Sequence, residues 1–139
     1  MPGPVDVPSA LAAARIRAIR FALLDLHKVL IDVEVHRYST TKKAIDGPHQ
    51  ALQLLLGDPW FAWLRQISEL IVHADERLSD ERPVSVEEAE AYVTQVLGLL
   101  QKDLGGADFR REYQRSLQEQ PDVVMAHAAV VKLATGAGS

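Results

Sequence analysis

The sequence predicts an all-α protein, an up-and-down helical bundle of about four main helices with two short accessory helices, on three observations. Ile16, Ile19, Leu23, Leu26, Leu30 and Val33 recur at alternating spacings of three and four, which is the period of one face of an α-helix. Helix-starting and helix-stopping residues punctuate the rest of the chain at short intervals. Period-two alternation is absent, and the β-branched residues sit at helical spacings, so strands find no support.

Taken in order, Ser9 is the expected N-cap of a first helix that runs to Tyr38, where Ser39-Thr40-Thr41 and Asp46-Gly47 break the pattern. Pro48 opens a short helix carrying Ala51, Leu52, Leu55 and Leu56, with Gly57 expected as its left-handed cap. Asp58-Pro59 repeats the start signal and predicts a second long helix to Leu78, apolar along Trp60, Trp63, Leu64, Ile67, Leu70, Ile71, Ala74 and Leu78. Ser85-Val86-Glu87-Glu88 is a capping box, since serine oxygen and glutamate carboxylate can each take the other residue's amide. It starts a third long helix, Val86 to Leu104, stopped by Gly105-Gly106. Asp108 is the expected N-cap of a polar accessory helix with a thin stripe of Phe109, Tyr113 and Leu117. Pro121 and Asp122 open a last helix to Ala134 that is apolar nearly all round, as suits a central helix or one covered by a partner chain.

The 139 residues, 47% of them hydrophobic, suffice for one core. The expected organisation is a flexible start over 1–8, a single bundle domain over 9–134 and a flexible tail over 135–139. The formal net charge of −4 and the lack of a long basic run argue against nucleic acid as ligand. Arg15, Arg17 and Arg20 read as the solvated flank of the first helix rather than a phosphate or anionic-lipid site. With no cysteine there is no disulfide, thiolate catalysis or cysteine-held zinc. The start lacks the pattern of a signal peptide and no apolar run is long enough for a bilayer, so no membrane role is expected and a cytoplasmic location is.

Four polar residues point toward the expected interior. His27 and Glu34 fall inside the widened apolar arc of the first helix, two turns apart on one edge. His127 is nearly alone among Val123, Ala126, Val130, Val131 and Ala134, and Asp75 shares an edge with Ser68 beside Ile71 and Leu64. Imidazoles and carboxylates projecting from different helices are what bundle interiors use for metal or acid–base sites. The simpler reading is that His27 and Glu34 hydrogen-bond across a helix boundary and that His127 is a core histidine satisfied by a carboxylate or a backbone carbonyl. A non-haem metal ion, or haem held by His27 and His127, is the minority alternative, and no cofactor is predicted. Glu-x-x-His pairs, a phosphate-binding glycine loop and a nucleophile elbow are all missing.

Trp60 and Trp63 form the densest aromatic cluster, read as a plug at the bundle end with a ligand or partner surface as the alternative. Phe61 projects away from the stripe they share, and Phe21 and Val35 lie on the outward side of the first helix. These three, with the all-round apolar last helix, predict a homodimer or another protein partner.

The string Leu24-Asp-Leu-His27-Lys-Val-Leu-Ile-Asp-Val-Glu34, with Leu52, Leu55, Leu56, the run Asp58 to Leu64 and Ser68-Glu69-Leu70-Ile71, resembles a group of uncharacterised bacterial helical proteins. The resemblance covers the first half of the chain, to Leu78, and implies a small bacterial cytoplasmic protein without implying an activity. The function expected from the sequence is thus a non-enzymatic helical interaction or regulatory module, homodimeric through exposed apolar positions. The alternative is a metal-dependent enzyme or small-ligand binder using His27, Glu34, Asp75 and His127 inside the bundle.

Overall fold

The computed structural model describes residues 7–136, all of whose regular structure is helical. Helix α1 spans Val7–Thr41. It begins two residues ahead of Ser9, which therefore lies inside the first turn rather than capping it. Val7 and Pro8, expected in the lead, are helical, because a proline in the first turn lacks only an amide the helix would leave unbonded. The rest of that expected lead, 1–6, and the tail 137–139 lie outside the described residues. The helix also runs past Tyr38, since the hydroxyls of Ser39 and Thr40 bond the carbonyls of His36 and Arg37 at 2.8 and 3.2 Å instead of breaking the turn.

Helix α2 spans Gly47–Gly57. The left-handed glycine is the first, Gly47 with φ +86°, whereas Gly57 stays helical and the amide of Asp58 closes the last turn on the Leu54 carbonyl at 2.8 Å. Asp58 caps the next segment as expected, accepting from the Trp60 amide at 2.9 Å. The expected single helix from Pro59 is split: Pro59–Leu64 is a 3-10 helix, and α3 covers Arg65–Ser79. Helix α4, Val86–Gln101, starts at the predicted capping box, with Glu88 N–H on Ser85 Oγ at 3.0 Å and Ser85 N–H on Glu88 Oε1 at 3.2 Å. It ends short of Leu104, where Asp103 turns left-handed at φ +59°. Helix α5, Gly106–Glu119, is preceded by Gly105, so Asp108 sits in its first turn rather than at its cap. Helix α6, Pro121–Thr135, ends on left-handed Gly136, so Thr135, expected in the tail, is its last helical residue.

Side-chain contacts fix the helix directions. His27 on α1 bonds the backbone of Leu64, while Arg20 pairs with Asp75 further along α3 at 2.8 Å, so α3 runs antiparallel to α1. Arg15 pairs with Glu90 in the first turns of α4 at 2.7 Å and donates to the carbonyl of Ala134 near the end of α6 at 2.8 Å. The order α1, α3, α4, α6 is therefore up, down, up, down, with α2 and α5 as accessories. Ile19, Leu23, Leu26, Leu30, Ile67, Val96, Val123 and Val130 are fully buried between these four helices. At roughly 1.5 Å rise per residue, α1 is about 50 Å long and outreaches the helices packed on it. Its last third is instead covered by the 3-10 segment and α5.

Candidate functional site

The four polar residues expected to point inward each find a separate partner, and Asp75 does not point inward at all. Glu34 is 1% exposed and accepts from Arg37 Nε and Nη2 at 3.4 Å each and from Arg115 Nη2 at 3.3 Å. Asp75 is exposed and pairs with Arg20. His127 Nδ1 and Tyr113 Oη share a hydrogen bond of 2.7 Å, and His27 bonds the backbone of Leu64. Among the described residues no three histidine, aspartate or glutamate side chains gather as a metal ion would require.

Burial pushes the pKa of both His27 and His127 below the ordinary 6.5, the bond to Leu64 partly opposing this in His27. Both rings are thus neutral in the fold at pH values where the unfolded chain is protonated, so the unfolded state binds more protons. Their contribution is complete above about pH 6.5 and is lost as pH falls below it. Urea unfolding should show a lower midpoint at pH 5.5 than at 7.5, and His127→Gln should flatten that slope. Equal midpoints for the parent chain would contradict the assignment.

The polar cluster that does assemble was not foreseen. Glu34 and Arg37 on α1 meet Glu112 and Arg115 on α5, where Arg115 pairs with Glu112 as well as with Glu34, and Arg37 approaches Glu112 at 3.9 Å. The guanidinium of Arg37 also lies over the Trp60 ring, 4.4 Å from its centroid. Beside this cluster opens a cleft of about 730 Å³ between the end of α1, the 3-10 helix and the start of α5. Trp60, Trp63 and Phe109 supply its apolar wall, with Trp63 and Phe109 ring centroids 5.7 Å apart. Arg37, Arg111 and Arg115 reach into its lining, as do Gly105, Gly106 and Ala107 at the start of α5. Gln66 donates to the Gly105 carbonyl at 2.7 Å and so pins that turn to α3. Gly105 and Gly106 are required there: a Cβ on Gly105 would stand 3.0 Å from Phe109, and Gly106 has φ +91°.

The expected interface residues divide. Phe21 is 71% exposed, as the sequence implied. Phe61 is 1% exposed, because the tighter 3-10 turn swings it inward, 5.5 Å from the Tyr38 ring centroid. Val35 is partly buried against the core, since α1 is wrapped on more than one side near its end. A longer signal was missed. Val7, Leu11, Ala14, Ala18 and Phe21, spaced four, three, four and three, form a second apolar seam on α1 opposite the core stripe. Val7, Leu11 and Phe21 are 61%, 65% and 71% exposed, and α6 leaves Met125 72% exposed on its own outer face. No described helix is long and apolar enough to cross a membrane.

Compared with protein-family models, curated proteins and solved structures, the chain matches none.

Proposed function

We propose that this chain is a cytoplasmic helical interaction module that self-associates through the outer face of α1. The observation that carries this reading is the helix's second seam, since a helix with one neighbouring layer needs one apolar stripe and α1 has two. The seam suits a second copy of itself. About a two-fold axis through Ala14, Phe21 of one copy faces Val7 of the other, and Ala14 and Ala18 let the two backbones approach. A chain without cysteine has no thiol that such an assembly would need to keep reduced, which is compatible with a reducing compartment.

Size-exclusion chromatography with light scattering at micromolar concentration should return twice the 15.3 kDa of one chain. Phe21→Glu, on an exposed position, should return a monomer with an unchanged helical circular dichroism spectrum. A parent chain that stays monomeric, or a variant that stays dimeric, would remove the proposal.

A further inference from the structure

We infer that the groove between α1 and α6 on the outer face receives the first turns of α1 from a second copy, which receives the same segment in return. The inference rests on the reading that α1 self-associates and adds α6 to that interface. Met125, Ala129 and Leu133 follow at spacings of four and share one exposed flank of α6. The buried edge of that helix is Val123, Ala126, Val130 and Ala134, and its other flank carries His127, bonded to Tyr113 of α5. Helix α5 in turn reaches α1 at Glu34, on the core side, so α5 stands on the inner side of α6 and the strip on the outer side. There the strip adjoins the α1 seam. Arg15, placed between the core stripe and the seam, donates to the Ala134 carbonyl, one residue beyond Leu133.

Register fixes what the strip meets. The two helices are antiparallel and each advances about 1.5 Å per residue, so with Ala134 beside Arg15, Leu133 is level with Ile16, Ala129 with Arg20 and Met125 with Leu24. About the two-fold axis through Ala14, the second copy's Leu11 stands level with Arg17 and its Val7 level with Phe21. An antiparallel pair sets like flanks side by side, so that Leu11 enters between Ala129 and Leu133, and that Val7 lies between Phe21 and Met125. Extent argues the same way. From Val7 to Phe21 the seam is about 21 Å long and one helix wide, far short of the roughly 800 Å² that each partner of a stable complex commits. The α6 strip widens it to two helices and turns a ridge facing a ridge into a ridge lying in a groove.

The chain has no cysteine of its own, so single cysteines report on this contact without background. When Leu11→Cys and Leu133→Cys chains are mixed at micromolar concentration and treated with a short bis-maleimide, mass spectrometry should find residue 11 linked to residue 133. Each chain carries one cysteine, so such a link joins two copies. Leu11→Cys mixed with Val72→Cys, on an exposed position of α3, should give no link. Ala129→Arg, also on an exposed position, should weaken dimerisation by about tenfold and leave the helical spectrum unchanged. If the parent chain is dimeric but the 11–133 link is no more abundant than the 11–72 link, or Ala129→Arg dimerises as tightly as the parent, the inference falls and self-association through α1 alone stands. A monomeric parent chain overturns both.

Discussion

Replacing Glu34 with leucine should destabilise the protein by about 2–3 kcal/mol, close to 1 M in urea midpoint at a typical slope. The carboxylate is 1% exposed and bonded by two guanidiniums, so its removal leaves Arg37 and Arg115 facing each other without the anion between them. The figure lies below the roughly 3–5 kcal/mol of a fully buried pair because the arginine side chains keep 30% and 26% of their exposure, and water can take up part of the charge. Glu112 limits the loss further by retaining Arg115. Adding Arg115→Leu to Glu34→Leu should restore part of the loss, since an apolar pair of similar volume avoids the unpaired cation. A cost for Glu34→Leu below about 0.5 kcal/mol would mean that the ion pairs between α1 and α5 contribute nothing to their docking.

Helix content and topology were legible because both rest on period and punctuation. The stripe from Ile16 to Leu30 is buried as spaced, the Ser85 and Glu88 box forms, and Pro121 opens α6. What escaped depends on contacts that no helical wheel contains. Glu34 could be placed inward from its position, but its partners are arginines, one three residues on and one 81 positions away, and arginine reads as a solvent residue until its stem is seen lying across apolar surface. The cleft rests on the turn that starts α5, where Asp103 and Gly106 both take positive φ, a conformation a Gly-Gly pair permits without specifying. The outer seam of α1 was present in the sequence. Two of its five members are alanine, and small residues register weakly beside a stripe of leucine and isoleucine.

Phe61→Ala should lower stability by about 3–5 kcal/mol, whereas Phe21→Ala in dilute solution should change it by less than about 0.5 kcal/mol. The two phenylalanines are alike on an ideal wheel, both facing away from the stripe of their segment. They differ because Asp58 and Pro59 start a tight turn: at three residues per turn Phe61 rotates inward by roughly 20° per step relative to an α-helix. It then lies beneath Tyr38, with 1% of its surface exposed, in the wedge where the end of α1 meets the start of α3. Removing that ring opens a cavity at the junction that orients Trp60 and Trp63, so melting should fall by roughly 12–20 °C and the indole environment should change with it. Phe21 meets no core residue, and its truncation should be visible only in self-association. Equal losses for the two variants would place Phe61 outside the core and return the segment from Pro59 to the continuous α-helix that its spacing alone suggests.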